Sequence, residues 1–289
     1  MSLPDQLQQL LSEKYHIRID SVYPLSGGSI NQAARLQTNQ GNLFLKWNRQ
    51  APADMFDREA SGLDLLRQAD TDLYIPEVIT YNDIGDELPG FLLMTFIDPQ
   101  RGTREASENF GKELVRLHQH TSDQFGLDHD NYIGKLPQSN KKHDNWIDFY
   151  RTERIEPQIK MAIDSSKMSP SINKYWENLA SQLDDIFPNS KPSLLHGDLW
   201  GGNYFFDKNG RTVLIDPAVY YGHHEMELAF TRMFGGFSDL FYDAYSMNHK
   251  LEPGFPDRIA IYNLYPLLVH VNMFGGHYVS QAESLLKRY

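Results

Sequence analysis

The stretch Leu194-Leu195-His196-Gly197-Asp198-Leu199-Trp200-Gly201-Gly202-Asn203 decides how the rest of the chain reads. A short apolar run, 193–195, delivers a histidine and an aspartate to a glycine-rich turn, and an asparagine follows Asp198 by five residues (203 − 198). This H-x-D-x-x-x-x-N spacing is that of a phosphoryl-transfer catalytic loop. The chemistry needs those residue types: a carboxylate beside the attacking hydroxyl and an oxygen ligand for Mg²⁺. Three residues at fixed offsets also arise by chance, so the remaining parts of such a site must be found elsewhere in the chain.

Downstream, 204–206 and 212–215 flank Asn209-Gly210, a strong hairpin signal. The second strand ends at Asp216, eighteen residues after Asp198 (216 − 198). A hairpin that folds the chain back brings Asp216 beside Asn203, where both oxygens can hold one Mg²⁺. An isolated Asp-Pro such as Asp216-Pro217 more often opens a turn.

Upstream, 34–38 and 42–47 alternate around Asn39-Gln40-Gly41 and read as a hairpin, preceded by Gly27-Gly28-Ser29. Glycines at such a turn let backbone N–H groups approach the phosphates of ATP, although an isolated Gly-Gly is more often an ordinary turn. Leu43-Phe44-Leu45-Lys46-Trp47 sets a lysine in an apolar strand, where a charge needs a partner unless it points to solvent. A helix over about residues 54–68 offers Glu59 in its middle, with Asp54, Asp57 and Asp64 as competing acids. Segments 76–81 and 91–97 read as strands. The second would run into a hinge whose backbone at Met94, Thr95, Phe96 and Ile97 meets adenine; an ordinary buried strand has the same pattern.

From Asp98 onward the apolar period becomes helical. Ala106, Phe110, Leu114 and Leu117 form one stripe, Trp146, Phe149 and Tyr150 begin another, and Ile172, Trp176, Leu179 and Leu183 form a third. Further helices are expected over about 227–233, 240–247, 259–271 and 278–286, and Leu7, Leu10, Leu11 and Tyr15 open the chain with a short one. A strand-rich first third and a helix-rich remainder make an α+β protein. At 289 residues two lobes are expected, 1–97 for ATP binding and 98–289 for catalysis and acceptor binding.

The net charge of −11 and the absence of a basic stripe argue against nucleic acid as partner. No cysteine is present, which removes disulfides, zinc–thiolate sites and thiol redox control. Residues 1–16 carry Asp5 and Glu13 and no uninterrupted apolar region, and no run is long enough to cross a bilayer, so a cytoplasmic chain without a membrane partner is expected. His223, His224 and Glu225 suggest a metal site only weakly, because neighbouring side chains point apart and no further ligand is placed by spacing.

With these residues in hand the sequence resembles the fructosamine kinase (ketosamine-3-kinase) family, whose fold is similar to that of aminoglycoside phosphotransferases and choline kinases. The matching stretches include Ser26-Gly27-Gly28-Ser29-Ile30-Asn31, Phe56-Asp57-Arg58-Glu59-Ala60, 131–140, His196 to Asn203, Asp216-Pro217-Ala218-Val219-Tyr220-Tyr221-Gly222-His223 and Met233-Phe234-Gly235-Gly236-Phe237. The resemblance implies a bilobal protein-kinase-like fold, with a small antiparallel-sheet N-lobe carrying one main helix and a larger, mostly helical C-lobe. It implies that Glu59 partners Lys46, that Asp198 is the catalytic carboxylate, that Asn203 and Asp216 bind Mg²⁺, and that Gly27 and Gly28 cover the phosphates of ATP. The implied acceptor is a ketoamine, free or protein-linked, phosphorylated at the sugar 3-hydroxyl so that the adduct is destabilised and deglycation follows.

Two positions depart from the family pattern. Residue 224 is histidine where many members have arginine, and residue 227 is glutamate where aspartate is common. Compared with protein kinases, His-Gly-Asp replaces His-Arg-Asp, so nothing reads an activation-loop phosphate and a small acceptor fits better than a Ser/Thr side chain. Another small-molecule kinase of this fold, acting on an amino sugar, choline or a sugar, is the first alternative. A non-catalytic nucleotide-binding module is the second. Trp200 is a candidate for stacking on the sugar, or for packing the loop.

Overall fold

The computed structural model describes residues 3–25, 30–83, 85 and 88–289; Gly27, Gly28 and Ser29 therefore lie outside the described residues. The first part of the chain runs α1 (Asp5–Tyr15), β1 (Ile19–Leu25), β2 (Gln32–Thr38), β3 (Gly41–Asn48), α2 (Met55–Gln68), β4 (Val78–Asn82) and β5 (Gly90–Thr95). The five strands form one antiparallel sheet in the order β1-β2-β3-β5-β4, which puts β3 at its centre. Strand side chains alternate between faces. Leu43, Leu45 and Trp47 of β3, with Phe91 and Leu93 of β5, join Leu7 and Leu11 of α1 in one core. The intervening Leu92 and Met94, with Phe44 packed against them, belong instead to the larger core shared with Phe56 and Leu63 of α2. Lys46 has the parity of Phe44, so the alternation sends the lysine toward α2.

The remainder is mostly helical: α3 (Arg104–Gln119), β6 (Asn131–Ile133), β7 (Leu136–Gln138), α4 (Trp146–Phe149), a π-helical stretch (Tyr150–Ile155), α5 (Glu156–Asp164), α6 (Ile172–Ala180), α7 (Leu183–Ile186), β8 (Ser193–Leu195), β9 (Tyr204–Phe206), β10 (Thr212–Leu214), β11 (Tyr220–Gly222), α8 (His224–Met233), α9 (Asp239–Asn248), α10 (Phe255–Tyr262), α11 (Leu264–Phe274) and α12 (His277–Leu286). Its strands make two-stranded ribbons, β8 with β11, β9 with β10 and β6 with β7. The larger core continues from α2 through Phe110 and Leu114 of α3 to Leu268 and Val271 of α11. The loop 196–203 therefore follows a strand packed into this continuous core.

Three expected elements differ in extent. Strand β5 ends at Thr95, short of Phe96 and Ile97: Phe96 N–H still reaches Asn42 O at 3.3 Å, and the chain then leaves the sheet. The helix expected over 259–271 is two, α10 and α11, joined at Asn263. Pro266 has no N–H, and its ring opposes the carbonyl four residues earlier, so the helix cannot run through. The stripe that ends at Leu183 is split between α6 and α7, where Ser181 Oγ donates to Asn178 O at 2.9 Å and competes with helical bonding.

Candidate active site

Lys46 is 5% exposed, and its Nζ touches two carboxylates, Glu59 Oε1 and, at 2.8 Å, Asp216 Oδ1. Burial works against the ammonium charge, but the Asp216 and Glu59 carboxylates raise its pKa above the ordinary lysine range. The competing acids of α2 turn elsewhere. Asp54 pairs with Arg58 at 2.9 Å and accepts from Tyr132 Oη at 2.5 Å, Asp57 accepts from Tyr81 Oη at 2.9 Å, and Asp64 pairs with Arg67. Of the four candidate acids on α2, Glu59 alone meets the lysine.

The catalytic loop follows β8, which is clamped to β11 through Leu195 opposite Tyr220. Gly197 has φ +82°, and a Cβ there would lie 2.0 Å from Ala218 O, so only glycine fits between the aspartate and this strand. His196 is fully buried and organises the turn. Its Nε2–H donates to Ile215 O at 2.9 Å, and its Nδ1 accepts from Asp198 N–H at 3.3 Å. Burial holds its pKa below the usual histidine value, which keeps this neutral tautomer.

The hairpin β9–β10, with Leu214 opposite Tyr204, returns the chain so that Ile215 N–H bonds Asn203 O at 3.0 Å. Asn203 Nδ2 donates to Asp198 O at 2.8 Å and Asp198 Oδ2 at 3.0 Å. Asp216 stands next, in the left-handed region at φ +54°, a conformation that costs a non-glycine residue energy. Lys46, Asp216, Asn203 and Asp198 thus form one connected cluster assembled from β3 and two loops. Burial and the Asp216 carboxylate push the half-buried Asp198 carboxyl well above the usual carboxylate range. Carboxylates crowded around one lysine, beside an amide that keeps its oxygen free when its nitrogen donates, are the hard donor set that suits Mg²⁺.

At the hinge, Met94 is buried in β5, Thr95 N–H is taken by Glu77 O at 2.9 Å, and Phe96 N–H by Asn42 O. Among the described residues no backbone group accepts from Ile97 N–H. Of these three N–H groups, that of Ile97 is the one without a backbone partner among the described residues.

Two sets of residues behind the loop carry no spacing signal. Glu227 of α8, 3% exposed, accepts from His196 N–H at 3.1 Å and Gly197 N–H at 2.8 Å. Its Oε2 also meets His118 Nε2 at 3.0 Å, and His118 Nδ1 meets Tyr245 Oη at 2.8 Å. Burial alone would raise the Glu227 pKa; His118 and the N–H donors bring it below the usual range, so the carboxylate stays charged. The second set belongs to β6 and β7. Asn131 Nδ2 donates to Val219 O at 2.8 Å, Gln138 Nε2 donates to Ala218 O at 3.1 Å, and Tyr265 Oη donates to Gln138 Oε1 at 2.6 Å. These bonds hold the carbonyls two and three residues beyond Asp216. Residue spacing marks neither set, although the family resemblance touches both, through residue 227 and the stretch 131–140.

The His223-His224-Glu225 cluster has structural occupations. His223 Nδ1 caps α8 by accepting from Glu225 N–H at 3.1 Å, and Glu225 is clasped by Arg258 at 2.7 Å and Tyr262 at 3.1 Å. His224 lies against His249, ring centroids 4.5 Å apart, and its Nδ1 meets Ser190 Oγ at 3.3 Å.

A sheet that buries a lysine against a helix glutamate, facing an aspartate loop on a helical body, defines a phosphotransferase of the protein-kinase-like fold. An aminoglycoside phosphotransferase solved with AMP-PNP and hygromycin B, 16% identical, has a TM-score of 0.64 over 98% of each chain, and so shares the fold. The chain belongs to the fructosamine kinase family, whose model matches residues 2–289. It is 39% identical over 273 residues to a probable ketoamine kinase of Lactiplantibacillus plantarum, covering 94% of this chain and 95% of that protein. A solved Thermobifida fusca protein, provisionally named a fructosamine-3-kinase, is 30% identical with a TM-score of 0.87, covering 99% of this chain and 98% of the other.

Proposed function

We propose that this chain transfers the γ-phosphoryl group of ATP to the 3-hydroxyl of a ketoamine, a fructosamine or ribulosamine adduct, and so promotes deglycation. The observation that carries the reading is the connected cluster Lys46–Asp216–Asn203–Asp198 in a member of the fructosamine kinase family. Asp198 orients the 3-hydroxyl and accepts its proton while the new O–P bond forms and the bond from the γ-phosphorus to the bridging oxygen of ADP breaks. Its raised pKa suits a group that must take up that proton. Lys46, fixed by Glu59, offsets charge on the α- and β-phosphates. Asn203 and Asp216 would hold Mg²⁺, which would offset charge on the phosphates of ATP. Adenine would meet the backbone at 94–97, through Ile97 N–H, and Gly27, Gly28 and Ser29 would cover the phosphates. Trp200, 39% exposed and two residues from Asp198, would stack on the sugar.

In this reading residues 1–97 bind ATP and 98–289 carry the catalytic loop and the acceptor. Among the described residues no helix is long and apolar enough to cross a membrane, and the net charge of −11 disfavours nucleic acid; we place the reaction in the cytoplasm. The test is ADP release from ATP and Mg²⁺ with synthetic fructosamine, ribulosamine, an amino sugar, choline and free fructose, with the product located by phosphorus NMR. Ketoamine turnover at the 3-position is expected. Turnover confined to an amino sugar or choline would move the acceptor assignment. A nucleotide-induced melting shift with no turnover on any member would make the chain a binding module.

A further inference from the structure

A ladder of aromatic rings leaves the catalytic loop and runs out over the surface. Phe234, 42% exposed, stands with its ring centroid 6.4 Å from Trp200, 6.0 Å from Phe230 and 4.9 Å from His270. His270 continues to Phe274 at 5.6 Å and Tyr278 at 4.9 Å, and Phe274 is 56% exposed. The ladder is built, not incidental. The turn after α8 packs Gly235 and Gly236 onto Gly201, where an added Cβ would sit 3.2 Å from Gly235 O, and Tyr204 Oη donates to Gly236 O at 2.6 Å. His270 and Phe274 share one face of α11 at i and i+4, and α12 supplies Tyr278.

The ladder is continuous with the reacting centre. Asp198, Phe230 and His270 line one cavity of about 30 Å³, too small to take a sugar ring. An acceptor whose hydroxyl reaches Asp198 therefore lies across the mouth, with the rest of the molecule on the rings. Exposed aromatics in a contiguous patch are uncommon unless something covers them. The ladder offers ring faces, which attract an ammonium, and few hydrogen-bonding groups. His270 Nδ1–H is spent on Pro266 O at 2.7 Å, which leaves Nε2 as an acceptor; burial lowers its pKa, so it carries no charge against a cationic amine.

We propose that Phe234, His270, Phe274 and Tyr278 seat the amine-borne half of the acceptor and select ketoamines whose nitrogen carries an apolar or aromatic group. This rests on the ketoamine reading above. The sugar is held at Asp198, and the substituent on nitrogen extends over Phe234 toward Phe274.

The experiment compares kcat/KM for the fructose adduct of benzylamine with that for the adduct of ethanolamine. The wild-type ratio is expected to favour benzylamine by about tenfold, the size of one good aromatic contact. Phe274→Ala, at an exposed position, and Phe234→Ala should each pull the ratio toward one, chiefly through KM for the benzylamine adduct. Turnover of both adducts with a ratio that neither substitution moves overturns the ladder alone. Turnover of neither overturns the ketoamine reading and the ladder with it. A wild-type dimer that Phe274→Ala converts to monomer in light scattering also overturns it, because a second copy would then be the cover.

Discussion

The front of the 196–203 loop crowds carboxylates around one lysine, whereas at its back the Glu227 carboxylate and the carbonyls of Ala218 and Val219 are hydrogen-bonded. At the front, Glu59 and Asp216 gather around Lys46, and Asp198, bonded to Asn203, is pushed toward protonation by burial and by Asp216. At the back, one buried carboxylate, Glu227, receives two backbone N–H groups and His118, and the carbonyls of Ala218 and Val219 receive Gln138 and Asn131. The contrast separates two physical tasks. Unbalanced charge at the front favours ligands that bring a cation and transferable phosphate, at a cost in stability. The satisfied back fixes the loop so that this imbalance does not relax by moving the backbone.

If the contrast holds, the largest effects on rate belong to the front and come without loss of fold. Asp198→Asn removes the proton acceptor while keeping size and the neighbouring Asn203. Turnover should fall by about 10³-fold or more, with nucleotide affinity and melting temperature close to wild type or slightly raised, since a repulsive carboxylate is gone. Lys46→Met should cost about 10²-fold and also weaken ATP binding, measured by calorimetry. Retained turnover in Asp198→Asn would sink the assignment of that carboxylate.

The front was largely legible in the amino-acid order, and the back was not, for a physical reason. Phosphoryl transfer demands residue types at positions set by short local turns, so His196, Asp198 and Asn203 show as spacing. Asp216 follows from an Asn-Gly hairpin that the strands obey. Even Lys46 was marked, by being a charge in an apolar strand. On pattern alone Glu59 is not told from Asp54, Asp57 and Asp64; the family resemblance points to it, and the structure gives each of the other three another partner. Glu227 acts across 31 residues on His196 and His118 across 109 on Glu227, and no local pattern encodes such pairings. Helix ends suffered likewise: Pro266 was visible, but its power to divide 259–271 depended on Asn263 turning the chain.

A middle-sized effect is expected at the back. Glu227→Gln keeps the shape but replaces one acceptor oxygen with N–H, which then opposes the N–H of His196 or Gly197. One buried donor is left without a partner, at a cost of about 1–3 kcal/mol. Turnover should drop about tenfold, and unlike the front variants the fall should come with a lower denaturation midpoint. A variant that loses rate with unchanged stability would erase the proposed division between front and back.

The smallest effect is the pH slope of the back, opposite in sign to the one that the raised Asp198 and Glu59 carboxyls give the front. Burial lowers the His223 pKa from 6.5 to about 3 and drives His224 lower still, against neighbouring histidines and Arg258. In the unfolded chain both take up protons below about pH 6.5, while in the fold they stay neutral. The unfolded state then binds more protons, so stability rises with pH across this window and is lost as pH falls from about 6.5 toward 3. Each histidine contributes up to about 1.4 kcal/mol per pH unit once the solution is well below its unfolded pKa. Above pH 7.5 neither contributes any slope. The difference between urea melts of wild type and His223→Asn at pH 7.5, 6.5 and 5.5 isolates this term from the opposing front carboxyls; the variant, which keeps an acceptor for the Glu225 N–H cap, should remove about one proton from the slope below pH 6.5. Equal slopes in wild type and variant would mean that the buried His223 is protonated without penalty, and that the back of the loop tolerates charge as the front does.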